Sequence, residues 1–108
     1  MVDEVRIAAL LDILKGNPDD AFARYALGLE YSGAGDNEAA LREFNRLLVA
    51  HPDYTNAYFM AAQVLERADR IKESREMLLK GMESARQSNN RHALSEMEAM
   101  LDQLQGAE

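Results

Sequence analysis

Residues 17–53 read NPDDAFARYALGLEYSGAGDNEAALREFNRLLVAHPD. The stretch opens and closes on one pattern: Asn17-Pro18-Asp19 returns as His51-Pro52-Asp53, a displacement of 34. The same displacement continues beyond it. Leu27-Gly28, Tyr31, Ala40 and Phe44 are echoed by Ala61-Ala62, Leu65, Ser74 and Leu78, each pair again 34 apart. A fixed period of this size marks stacked supersecondary units, none of which buries its apolar face alone.

The spacing of apolar residues is helical, and no run alternates apolar and polar residues with β-branched enrichment. Six helices are expected, over 2–15, 20–33, 37–50, 54–68, 71–87 and 90–104. The breaks between them have physical causes. Gly16-Asn17-Pro18 ends the first, because glycine can adopt the left-handed C-cap and proline cannot continue a helix. Asp19 or Asp20 caps the second. Gly33-Ala34-Gly35-Asp36 and His51-Pro52-Asp53 make the next turns. Ala68-Asp69-Arg70 is a weaker turn, with Asp69 where the earlier unit has Gly35, and Ser88-Asn89-Asn90 caps the last helix. Short connections make antiparallel neighbours.

These residues resemble the tetratricopeptide-repeat family. Leu27-Gly28, Tyr31, Gly35-Asp36, Ala40, Phe44 and Pro52 fall at its signature positions. Arg24 departs from it, standing where the family has a bulky apolar residue. A second copy keeps Tyr58, Ala61-Ala62, Leu65, Ser74 and Leu78 but has Arg86 in place of the terminal proline. The resemblance implies an all-α fold, a right-handed superhelical array of antiparallel helix hairpins (an α-α superhelix). It divides one domain, 1–108, into a half repeat 1–18, repeats 21–54 and 55–88, and a C-terminal capping helix 90–104. It also places Gly28 against Ala40, Ala62 against Ser74, and Gly81 where successive repeats touch.

The last helix needs its own frame. Strict repetition of the period assigns His92, Ser95, Glu96 and Ala99 to packing, a polar set. A frame two positions later gives Leu94, Met97, Glu98 and Leu101, extended by Leu104, on one helix face. The preceding unit is therefore longer by two, the extra length falling in 87–90, and Glu98 is expected to face water.

The 108 residues suffice for one modest domain. Net charge is −7, which repels a phosphate backbone, so no nucleic acid is expected. The basic stretch Arg67, Arg70, Lys72, Arg75, Lys80 and Arg86 reads as a solvated face with pairs such as Glu66/Arg70 and Glu76/Lys80. Cysteine is absent, which excludes thiolate metal sites and disulfides. The acidic start is not a secretory signal, and no apolar run reaches membrane length, so a cytoplasmic protein with no membrane partner is expected. His51 and His92 have no helical-spacing partner and read as surface histidines. No HExxH, calcium-loop or Walker-type pattern occurs. Neither catalysis, metal nor cofactor is expected.

In the family the first helices of successive repeats line a concave groove that holds a peptide or helix. The corresponding residues are Phe22, Tyr25, Leu29, Asn56, Phe59, Gln63, His92 and Glu96, with Ser95 and Ala99 beside them. Read as a site, they are apolar anchors ringed by polar groups, and the chain is a protein–protein adaptor or scaffold. Read structurally, the aromatics are partly buried between helices. The clamp for acidic chaperone C-termini is not matched: its positions hold Phe22, Ala26, Asn56, Met60, His92 and Glu96, and Glu96 repels such a ligand. The alternative function is a self-associating subunit. Val2, Val5, Ile7, Leu10, Leu11, Ile13 and Leu14 cover most of the first helix, and its flank of Val2, Val5 and Ala9 suits a weak homodimer.

Overall fold

The computed structural model describes residues 3–106. Six helices follow in order: α1 (Glu4–Gly16), α2 (Ala21–Gly33), α3 (Asn37–Ala50), α4 (Thr55–Arg67), α5 (Ile71–Gln87) and α6 (Arg91–Gly106). No strand occurs among the described residues. Each helix packs antiparallel on the next, as the short connections require. In addition α2 touches α4 and α4 touches α6, whereas α1, α3 and α5 make no such contacts with one another. The first helices of successive hairpins therefore crowd together while the second helices fan apart. That asymmetry curves the superhelical array and makes the α2–α4–α6 side the concave one.

The turns explain where the helices stop. Gly35, Asp69 and Asn89 have φ of 80°, 62° and 57°. In each case the next residue's amide reaches back to a carbonyl in the last turn of the helix, Asp36 to Tyr31 O, Arg70 to Leu65 O and Asn90 to Ala85 O, at 3.0, 2.8 and 2.8 Å. This is the Schellman closure, which satisfies carbonyls a helix end leaves open. Asp3, Asp20, Asp36 and Asn90 cap the helices that follow them through their side chains. Asp69 occupies a left-handed position without glycine's freedom. Asp69→Gly is expected to stabilise the protein by roughly 0.5–1 kcal/mol. A lowered melting temperature would show that the aspartate side chain contributes more than its backbone strain removes.

The core is serial. Leu10 and Leu14 of α1 bury against Ala23 and Leu27 of α2. Ala40, Leu41, Phe44 and Leu47 meet Ala57, Ala61, Val64 and Leu65. Tyr58, Ala62, Leu78, Met82 and Ala85 meet Ala93, Met97, Met100 and Leu104. Met97 is fully buried, and Met77 packs at the edge of two clusters. Ser74 Oγ donates to Ala62 O at 2.7 Å, so these two positions do face each other.

Arg86 stands where the earlier unit has Pro52, and without a proline the helix runs on. The helix α5 has 17 residues against 14 in α3, and the connection after it is shorter by one. Thus α4 begins one period after α2, at Thr55 against Ala21, whereas α6 begins two positions later than a further period would put it, at Arg91. The buried face of α6 is Ala93, Met97, Met100 and Leu104, with Leu94 and Leu101 half-buried. It is rotated by about one position from the expected stripe. Glu98 is exposed, as expected.

Three other expectations are corrected. A Cβ on Gly28 meets Phe44 ring atoms at 2.5, 2.8 and 2.9 Å, so the ring of Phe44, not Ala40, is the closest neighbour of Gly28. Arg70 pairs with Glu73 at 2.5 Å and Glu38 at 3.3 Å instead of Glu66. His51 is not merely solvated: its Nε2 lies 3.0 Å from Asp19 O, joining the two Pro-Asp turns.

The departure at Arg24 is also resolved. Arg24 Nη1 meets Glu43 Oε1 at 2.6 Å, with both side chains largely buried. Arg24 Nη2 donates to Pro18 O at 3.0 Å. Tyr58, the counterpart of Arg24 one period later, donates its hydroxyl to Pro52 O at 2.7 Å. One tie, from the first helix of a unit back to the proline carbonyl before it, is made twice with different chemistry.

Candidate binding groove on the concave face

The concave face is built from side chains that α2, α4 and α6 turn away from the core. Between α4 and α6 it deepens into an open cleft of about 620 Å³. Phe59, Gln63, Glu66 and Arg67 form one wall; Glu96, Ala99, Met100 and Gln103 form the other. Of the residues expected in a groove, the cleft brings together Phe59, Gln63, Glu96 and Ala99. Glu66, Arg67 and Gln103 follow one helical turn beyond Gln63 and Ala99, so extending the same i, i+3/i+4 stripe would have found them. Met100 is hidden from that reasoning because it also belongs to the core.

The remaining expected residues lie elsewhere. Phe22, in the first turn of α2, is 74% exposed. Tyr25 and Leu29 are half-buried against the α3–α4 core. The Tyr25 ring stands 5.0 Å from that of Tyr54 and 6.1 Å from that of Phe44, centre to centre. Burial pushes its phenol pKa up, and the neighbouring Tyr54 adds to the shift. Asn56 borders a separate polar hollow with Asp53, Tyr54, Thr55 and 88–90. His92 is exposed in the first turn of α6, its Nε2 3.2 Å from Glu96 Oε1.

The cleft lining carries two carboxylates against one guanidinium. Arg67 lines it while tied to the neighbouring turn: its Nη2 donates to Ser32 O, Ser32 Oγ and Asn37 Oδ1 at 3.1, 3.0 and 2.9 Å, locking α4 to the α2–α3 turn. Glu66 and Glu96 place a carboxylate on each wall. Among the described residues no group of three or more His, Cys, Asp or Glu is placed to hold a metal ion, and no helix is long and apolar enough to cross a membrane. The arrangement offers an apolar floor, amides and carboxylates: contact chemistry for a chain segment.

Comparison with known proteins agrees with the architecture. The tetratricopeptide repeat family model matches residues 31–98. An uncharacterized protein of Methanocaldococcus jannaschii is 36% identical over 58 residues, which are 54% of this chain and 67% of that protein. A tetratricopeptide repeat domain protein from Salinibacter ruber, solved in solution, is 32% identical with a TM-score of 0.80, covering 85% of this chain and 93% of its own. The TPR2B-domain:pHsp70 complex of yeast Sti1 superposes with a TM-score of 0.88 at 16% identity, covering 94% of this chain and 82% of its own. That last likeness is one of fold alone.

Proposed function

This chain belongs to the tetratricopeptide-repeat family, and from that premise we propose that it is a non-enzymatic protein–protein interaction module, a cytoplasmic adaptor whose concave face holds a peptide or helix. The fold generally mediates protein–protein interactions, and the yeast domain of the same fold is in complex with pHsp70. The observation that carries the reading for this chain is the cleft between α4 and α6, floored by Phe59, Ala99 and Met100. In this reading Phe22, exposed in the first turn of α2, extends the apolar track. Tyr25 serves mainly as packing in this reading. Residues 90–104 act as a cap that also supplies one groove wall.

The test is to titrate a captured partner against wild type, Phe59→Ala and the outer-face control Arg46→Ala. An aromatic anchor contributes ~2 kcal/mol or more, about thirtyfold in affinity. Phe59→Ala should lose that much while keeping its helical circular dichroism, and Arg46→Ala should lose little. Equal losses in both variants would sink the groove reading.

A second reading has its own observation. Val5 and Ile13 are 81% and 48% exposed, whereas Ala39 and Leu47, their counterparts one period later, are buried. The helix α1 thus presents, exposed, positions whose counterparts α3 buries. They are Val5, Ala9 and Ile13; Val2, also expected there, lies outside the described residues. This supports weak homodimerisation through α1. A buried aliphatic side chain contributes roughly 1.5–3 kcal/mol, so sedimentation across a wide concentration range should show a dimer that Val5→Glu abolishes. A strictly monomeric wild type removes α1 from the account of function.

A further inference from the structure

We infer that the segment taken by the α4–α6 cleft is basic: an apolar side chain seated on Phe59, Ala99 and Met100, with lysine or arginine on both sides of it. The inference rests on the groove reading above and specifies the chemistry of its occupant. Three features of the cleft carry it. Its apolar floor lies between two carboxylates on opposite walls, Glu66 on α4 and Glu96 on α6. Its lining arginine is committed elsewhere, one nitrogen of Arg67 holding Ser32 and Asn37 at the α2–α3 turn. Glu96 meets His92 through Oε1, and its side chain is still 46% exposed. An acidic segment entering the cleft would face two like charges against one arginine, whose Nη2 is already engaged at the α2–α3 turn. A basic segment meets complementary charge on either flank, in a chain whose net charge of −7 steers it in from a distance.

The experiment uses two synthetic amphipathic peptides with the same leucine face. One carries lysines on its polar face, the other glutamates, and each is titrated by fluorescence anisotropy. The lysine peptide should bind about tenfold or more tighter than the glutamate peptide, with the preference shrinking in high salt. Glu66→Gln with Glu96→Gln should reduce the preference to about twofold. Glu76→Gln with Glu83→Gln, which removes the same charge from α5, should leave it intact; that comparison separates the cleft from general attraction to an acidic protein. Phe59→Ala should weaken the lysine peptide. Equal affinity of the two peptides, or preservation of the preference in the Glu66/Glu96 variant, overturns the basic-partner inference while groove binding stands. Binding indifferent to Phe59→Ala, or no binding of either peptide, overturns the inference together with the groove reading beneath it.

Discussion

Arg24→Ala is expected to lower the unfolding free energy by about 3 kcal/mol or more, because removing one member of a buried ion pair leaves the other charge stranded. Arg24 and Glu43 meet at 2.6 Å with side chains only 14% and 6% exposed. Arg42 offers poor compensation: its Nε is 3.6 Å from Glu43 Oε2 on a side chain 55% exposed, where an ion pair contributes little. The substitution also deletes the bond to Pro18 O that ties α2 to the preceding turn. The chain itself contains an apolar solution to the same problem. At the corresponding sites one period later it has Tyr58 and Met77, with the Tyr58 hydroxyl on Pro52 O. Arg24→Tyr combined with Glu43→Met should therefore recover most of the lost stability, since well-packed apolar residues often replace a buried pair at no net cost. Urea denaturation of wild type, single and double variants decides it. A single variant as stable as wild type would mean that the pair contributes nothing. A double variant as unstable as the single would mean that shape at these sites, not stranded charge, sets the loss.

That pair also marks the boundary of what the sequence discloses. The repeat period and the turn residues place all six helices closely, because capping and helix termination are local chemistry. The late start of α6 is legible too, since a polar set at His92, Ser95, Glu96 and Ala99 contradicts the packing role that strict spacing assigns. Arg24 is visible only as a departure from a pattern. Its partner is 19 residues away on another helix, and no local rule selects Glu43 over other carboxylates. The groove is intermediate. Spacing along each helix identifies the concave-facing residues, but the depth of the face depends on how α2, α4 and α6 converge. Hence Phe59, Gln63 and Glu96 meet in one cleft, while Asn56, on the same stripe, sits at the helix N-termini in a different hollow. Tyr25 shows the same limit: its helical position matches Phe59, yet Tyr54 and Phe44 stand beside it.

Glycine substitutions should split by sign, and the split tests how closely the helices approach. Gly81 lies in α5 with Tyr58 Cβ and Met97 Sδ only 2.6 and 2.5 Å from where its own Cβ would be. The methionine end can swing aside, but Tyr58 Cβ moves only with the α4 backbone. Overpacking typically costs ~1–3 kcal/mol, and Gly81→Leu should reach the top of that range. The gain from removing a helical glycine, about 1 kcal/mol, offsets part of it. A net loss of roughly 2 kcal/mol is expected. Gly28→Leu should also destabilise, because the Phe44 ring it meets is fully buried and has nowhere to turn. Gly33 ends α2 with nothing within 4 Å of its would-be Cβ, so Gly33→Ala keeps the helix-propensity gain without the clash. Its melting temperature should rise or hold. If Gly81→Leu and Gly33→Ala move stability in the same direction, helix propensity and not interhelical distance governs these positions. The close contacts of α4 with α5 and α6 would then have to be looser than the geometry gives, and with them the two facing walls of the cleft to which Phe59 and Met100 belong.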